Sequence, residues 1–95
     1  MQFKRLTDRA TVDLAEYLRE YIDQVGKENV RLYLGCDSQN KSDWTSYATT
    51  VVIHIGTTGC HVLYHRERVR PRVNDFWTRL WKEVERSVEV ALYLR

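Results

Sequence analysis

The acidic residue best placed to do chemistry is Asp37, within the run Gly35-Cys36-Asp37-Ser38-Gln39. An aspartate where an apolar strand gives way to a polar loop can hold a hard cation such as Mg²⁺ or Mn²⁺, because these ions prefer carboxylate oxygens. Gly35 would let a phosphate or a metal approach the backbone. Ser38 and Gln39 could orient the carboxylate through hydrogen bonds. Since Asp followed by Ser after a strand is also a common turn-former, the motif alone leaves both interpretations open.

Arginines at alternate positions form the sharpest charge feature of the chain. They follow His65 as Arg66, Arg68, Arg70 and Arg72. Such a basic segment could neutralise the phosphates of RNA or DNA. An equally weighted alternative is a charged edge strand, whose charges discourage pairing with other chains.

Two other groups of side chains carry weaker signals. His54 and His61 fall side by side on adjacent predicted strands, but two histidines without a third ligand favour a polar sheet face over a zinc site. Trp77 and Trp81 are four residues apart on a predicted helix, which favours a place in the core over a base-stacking platform.

Alternating apolar residues predict a strand from Val30 to Cys36. A segment rich in Thr, Val and Ile predicts a second strand from Ser46 to Ile55, and the third strand is predicted from Cys60 to Val69. The loop Gly56-Thr57-Thr58-Gly59 predicts a hairpin. If Ile55 pairs with Cys60, then Val51, Ile53, Val62 and Tyr64 share one apolar face of an antiparallel sheet.

Helical periodicity predicts a helix at each end of the chain. The first would be capped by Thr7 or Asp8 and stop at Gly26, and the last would be capped by Asn74 or Asp75. The apolar stripe of the last helix comprises Trp77, Leu80, Trp81, Val84, Val88, Ala91 and Leu92. Because its final turns are apolar on nearly every side, we expect a partner subunit, or further sequence, to cover them.

The composition is that of a globular protein, with 95 residues, 43% hydrophobic residues and a net charge of +2. We therefore expect one domain over residues 1–95. Cys36 and Cys60 fit no zinc motif or disulfide framework, which favours buried free thiols. Without a signal peptide or a membrane span in the sequence, we expect a cytoplasmic protein that does not enter membranes.

Four features in order resemble the YkuK-like family, a bacterial ribonuclease-H-like family. They are a hydrophobic strand ending in Gly-x-Asp-Ser-Gln, the strand around Thr50-Val51-Val52-Ile53-His54, a basic strand exit from Tyr64 to Val69, and the Arg-Leu-x-x-Glu helix at Arg79–Glu83 with the following Ser87. The residue patterns predict an α/β fold in the order α-β-β-β-α, with a three-stranded antiparallel sheet and a helix at each end. The resemblance implies that this is a ribonuclease-H-like fold without its later strands.

The resemblance also implies a site. Chemistry of the ribonuclease H type uses two divalent cations, roughly 3.5–4 Å apart, at one phosphodiester. The family's pattern makes Asp37 and Glu83 the expected catalytic residues and ligands of Mg²⁺ or Mn²⁺, with Ser38, Gln39 and Ser87 supporting them. Such domains continue with further strands, of which the next usually carries another acidic ligand. The present sequence ends earlier, so we expect only the front portion of the domain and an incomplete site.

Two functions follow as expectations. The first is a divalent-metal-dependent nuclease that acts on RNA or DNA and is incomplete as a catalyst on its own. The alternative is a noncatalytic nucleic-acid-binding or assembly module, which uses the basic strand exit and the apolar final helix. In either case we expect a homo-oligomer that covers this helix.

Overall fold

The computed structural model describes residues 1–56 and 59–94. A short 3₁₀ turn, Lys27–Asn29, lies between the first helix and the third strand. The elements in chain order are β1 (Gln2–Arg5), β2 (Thr11–Asp13), α1 (Leu14–Val25), β3 (Val30–Asn40), β4 (Thr45–Ile55), β5 (Gly59–Val69) and α2 (Phe76–Tyr93). In the described residues, neither helix is long and apolar enough to cross a membrane.

The sheet has five strands in the order β2-β1-β5-β4-β3, so the prediction of a three-stranded sheet is wrong. Strand β1 pairs antiparallel with β5, where Lys4 lies opposite Tyr64. On its other side β1 pairs with β2, where Phe3 lies opposite Val12. The two added strands are 4 and 3 residues long, too short for an alternating pattern to reveal them.

Helix α1 begins later than the sequence indicates. Asp13 is its N-cap and accepts the N–H of Glu16 at 3.1 Å. The predicted cap Asp8 lies in the turn before β2, where it accepts hydrogen bonds from Arg5 and from the N–H of Ala10. The predicted stop at Gly26 is confirmed, since its φ of 88° suits a residue without a side chain.

The three predicted strands are confirmed, with differences in length and in which residues of the third strand are buried. Strand β3 continues to Asn40 and so includes the whole Asp37 motif. Leu63 is fully buried, as are Val51 and Ile53, so Leu63 takes the place on the apolar face that the predicted pairing assigns to its neighbours. A slip of one residue in register exchanges the two faces of a strand. Part of the predicted hairpin loop, Thr57-Thr58, lies outside the described residues.

The chain divides into two compact units. Unit 1 comprises Met1–Tyr33 and Val51–His65. Its core is apolar and consists of Phe3, Leu14, Tyr17, Leu18, Val51, Ile53 and Leu63. At the border of this core, the Tyr17 hydroxyl and His61 Nδ1 form a hydrogen bond of 3.1 Å.

Unit 2 comprises Leu34–Thr50 and Arg66–Arg95, and its interior is more polar. Its buried residues are Thr45, Tyr47, Thr49 and Val90. Asp75 caps α2 by accepting the N–H of Thr78 at 2.9 Å, which confirms one of the two predicted caps.

The prediction that Trp77 and Trp81 belong to the core is wrong. Their exposed fractions are 72% and 63%. Helix α2 instead turns its other side inward, with Glu83 and Arg86 half-buried and Val90 buried. Polar partners on the strands select this side of the helix, and the apolar stripe therefore faces solvent.

Both cysteines are free thiols, but only one is sheltered. Cys36 is half-buried, whereas Cys60 is exposed near the start of β5. The expectation of two buried thiols is therefore wrong for Cys60.

We expect Ile53→Ala to lower the free energy of unfolding by about 2–5 kcal/mol, because it opens a cavity in the core of unit 1. Urea unfolding monitored by circular dichroism measures the change. The control is His54→Ala, at the exposed neighbouring position of β4, for which we expect at most about 0.5 kcal/mol. Equal effects of the two substitutions would contradict the assignment of faces on β4.

Candidate functional site

The Asp37 motif lies within β3, where successive side chains point to opposite faces. Cys36, Ser38 and Asn40 are half-buried, whereas Asp37 and Gln39 are exposed. The motif therefore contributes to two separate surfaces of unit 2. One surface meets α2, and the other is open.

On the surface that meets α2, the Ser38 hydroxyl donates a short hydrogen bond to Glu83 Oε2. Ser87 follows one turn later, and its hydroxyl donates to the backbone carbonyl of Glu83 at 3.3 Å. The structure thus brings together three residues that the resemblance groups at one site. In this arrangement the Glu83 carboxylate holds α2 to β3.

A second polar link ties the segment before α2 to the strands. Asn40 Nδ2 donates to the carbonyl of Val73 at 3.3 Å, and the Thr45 hydroxyl donates to Asn40 Oδ1 at 2.7 Å. The N–H of Val73 in turn donates to Thr45 Oγ1 at 2.8 Å. This closed set of hydrogen bonds gives the hydroxyl of Thr45, which is fully buried, both an acceptor and a donor as partners.

Arg86 is a second link between α2 and the strands. Its guanidinium donates to both oxygens of Glu67, at 3.0 and 2.9 Å, and lies 4.1 Å from the ring centroid of Tyr47. Two parallel bonds to a carboxylate are stronger and more directional than a single bond. Tyr47 is fully buried, its hydroxyl has no hydrogen-bond partner in the described residues, and burial raises its pKa.

Cys36 shares this sheltered surface. Its sulfur accepts a hydrogen bond from the Thr49 hydroxyl at 3.6 Å. Burial raises the pKa of the Cys36 thiol above its ordinary value of 9.0. The thiol is therefore protonated at neutral pH and a poor nucleophile.

The open surface of unit 2 contains a cavity of about 620 Å³, here called the basic concavity. It is lined by Asp37, Ser38, Gln39, Lys41, Trp44, Ser46, Ala48, Arg66 and Arg68. Three cationic side chains and one carboxylate line it, so its charge is predominantly positive. Of the four predicted nucleic-acid-binding arginines, Arg66 and Arg68 belong to it.

Trp44 organises the arginines around this concavity. The guanidinium carbons of Arg68 and Arg70 lie 5.0 and 5.3 Å from its ring centroid, within the range of cation–π attraction. Arg70 also forms a 3.6 Å ion pair with Asp43, and Arg72 donates to the carbonyl of Lys41. The arginines at the end of β5 and just after it therefore pack against the loop between β3 and β4.

The structure does not bring Asp37 and Glu83 together. Asp37 lines the basic concavity, whereas Glu83 is bonded to Ser38, whose side chain leaves β3 on the other face. No cluster of three or more His, Cys, Asp or Glu side chains suited to a metal occurs in residues 1–56 and 59–94. The described residues therefore do not fit a two-cation site. The roles of Asp37 and Glu83 as catalytic residues and as ligands of Mg²⁺ or Mn²⁺ stay predictions.

Sequence reasoning missed four residues that line the basic concavity, Lys41, Trp44, Ser46 and Ala48. Trp44 is an aromatic residue within a polar segment just before a strand, which was a usable signal. Its proximity to Arg68 and Arg70 depends on pairing between strands that no local pattern reveals.

A family model described as Ribonuclease H-like matches residues 13–95. The match confirms the resemblance drawn from the four sequence features. No curated protein and no solved structure matches the chain.

We expect Ser38→Ala to lower the free energy of unfolding by about 1–2 kcal/mol, because a half-buried Glu83 carboxylate loses its donor. Ser46→Ala, on the open surface, is the control, with an expected change of at most about 0.5 kcal/mol. Chemical denaturation of both variants provides the comparison. If Ser38→Ala were as stable as Ser46→Ala, the bond to Glu83 would not hold α2 in place.

We expect iodoacetamide to alkylate Cys36 more slowly than Cys60 in the folded protein at pH 8, since burial keeps Cys36 protonated. Raising the pH through the elevated pKa should increase the rate at Cys36. Peptide mapping by mass spectrometry measures both rates, and the urea-unfolded protein, in which the two rates should converge, is the control. Equal rates in the folded protein would contradict the shelter assigned to Cys36.

Proposed function

This chain belongs to the ribonuclease H-like family, and we propose that it binds single-stranded nucleic acid through the basic concavity of unit 2. The observation that carries the proposal is that Arg66, Arg68 and Lys41 line one cavity together with an indole ring, that of Trp44. Cationic side chains beside an aromatic ring are the combination that single-stranded nucleic acid requires.

The arginines supply the contact to phosphate. Arg66 and Arg68 are alternate residues of β5, so they point to the same face with their backbones about 6.6 Å apart. Two guanidinium groups at this spacing can contact successive phosphates of an extended strand. Guanidinium groups bind phosphate oxygens in a bidentate manner, which favours Arg over Lys at such positions.

Trp44 and the guanidinium planes of Arg68 and Arg70 over its ring together supply surfaces for bases. The attraction of Trp44 for Arg68 and Arg70 orders these side chains before a ligand arrives, which lowers the entropic cost of binding. Bases of a single strand are free to stack on an indole or on a guanidinium plane, whereas paired bases in a duplex are not. A cavity of about 620 Å³ is large enough for one nucleotide.

Binding is better supported than cleavage by the described residues. Asp37 lines the concavity as its single carboxylate, and Glu83 is engaged with Ser38. Catalysis with two cations draws on several carboxylates that bridge the ions. Nuclease activity on RNA or DNA stays a prediction from the family resemblance.

We expect Arg66→Gln/Arg68→Gln to weaken binding of a fluorescent single-stranded RNA or DNA oligonucleotide. Loss of two phosphate contacts should reduce the slope of log K against log salt concentration by about 1.4. Fluorescence anisotropy at several KCl concentrations measures both quantities. The matched control is Arg19→Gln/Lys27→Gln, which removes two exposed positive charges from unit 1. The proposal fails if the two double variants bind alike, or if the wild-type chain does not bind.

A second variant separates binding from cleavage. Asp37→Asn removes the carboxylate beside the arginines, so binding should persist or become tighter. The same variant, incubated with a labelled strand and Mg²⁺ or Mn²⁺, tests the family's chemistry. Cleavage by the wild-type chain that disappears in Asp37→Asn would favour the nuclease over the binding module.

A further inference from the structure

The apolar stripe of α2 is the largest apolar surface that the described residues leave uncovered. Its members with large exposed fractions are Trp77 (72%), Leu80 (38%), Trp81 (63%), Val84 (46%), Val88 (49%) and Leu92 (57%). The opposite side of the helix is already used within unit 2, by the bonds of Glu83 and Arg86. A contiguous exposed stripe of this kind marks an interaction surface.

We propose that this stripe is the interface through which two copies of the chain associate, with their α2 helices packed side by side and antiparallel. The proposal concerns a surface separate from the basic concavity and does not depend on nucleic-acid binding. The occupant we assign is a second copy because the stripe is complementary to itself in spacing and size and is large enough for a dimer.

The spacing of the stripe is that of a helix that packs along another helix. Trp77, Trp81, Val84, Val88 and Ala91 follow one another at intervals of four, three, four and three residues. This repeat averages 3.5 residues, which keeps these five residues, here called the seam, facing a neighbouring helix. A helix that only covered a sheet would not need so regular a seam.

The sizes of the seam residues select the antiparallel orientation. The large residues Trp77 and Trp81 lie in the first half of α2, and the smaller Val84 and Val88 follow. An antiparallel pair places Trp77 against Val88 and Trp81 against Val84 of the second copy, in four layers of similar volume. A parallel pair would place each tryptophan against its own equivalent and leave the valine layers loosely packed.

The area of the stripe is sufficient for a specific dimer. Its exposed side chains, among them two tryptophans, present on the order of 600 Å² per copy, or about 1,200 Å² for the pair, against about 1,000 Å² for a biological interface. The interface would have an apolar centre and a polar rim.

Sedimentation equilibrium tests the proposal. We expect the wild-type chain of 11.4 kDa to show about twice that mass at micromolar concentrations, and Val84→Glu to weaken the dimer by at least about 100-fold. Leu6→Glu introduces the same charge at an apolar residue that is 60% exposed outside the stripe, and should remain dimeric. Circular dichroism verifies that both variants keep the fold. A monomeric wild-type chain, or equal weakening by both variants, overturns the proposal.

A distance measurement tests the orientation. In a Cys36→Ser/Cys60→Ser background, a spin label is attached at Leu92→Cys, beyond the four layers. In the antiparallel dimer Leu92 lies level with Val73 of the second copy, so the two labels should be separated by about 28 Å along the helix axis. Labels at the same level, separated only by the width of the helix pair, would overturn the antiparallel arrangement.

Discussion

Alternation of side chains along β3 is the constraint on which the rest of unit 2 depends. Ser38 points toward α2 and Asp37 toward the open surface, because successive residues of a strand leave it on opposite faces. One short motif therefore supports two surfaces. The first attaches a helix through Glu83, and the second places a carboxylate among the arginines of β5.

Polar contacts decide how α2 packs. Ser38, Glu67 and Tyr47 present a hydroxyl, a carboxylate and an aromatic face, and these select the side of the helix that carries Glu83 and Arg86. A half-buried guanidinium or carboxylate without partners would be costly, so these residues turn inward together. The apolar stripe then remains on the outer side. Unit 1 follows the more common arrangement, with an apolar core beneath α1.

The family fold indicates the function only coarsely, whereas the side chains at a site determine what chemistry it can perform. The family match covers residues 13–95 and supports a nuclease-like fold at a coarse level. Fold alone does not determine activity, which depends on the groups that a site assembles. In the described residues those groups are cationic and aromatic on one surface and apolar on another, and the proposed binding and self-association rest on these two surfaces.

The sequence by itself determined the elements whose signals are local. Alternation located β3, β4 and β5 to within a few residues, and Gly26 and Asp75 marked helix ends, because strand periodicity and capping depend on neighbours along the chain. The Asp37 motif and Arg79–Glu83 also revealed the family. Strands β1 and β2 could not be predicted from local signals, since they are held by hydrogen bonds between β1 and β5 and between β1 and β2.

Only the tertiary structure decided which faces of these elements are used. The register of β5 placed Leu63 in the core, and non-local polar partners turned the Glu83 side of α2 inward. Pairing between strands set Trp44 beside Arg68. Periodicity shows that a helix or strand has two faces, but which face is covered depends on residues far away in the chain.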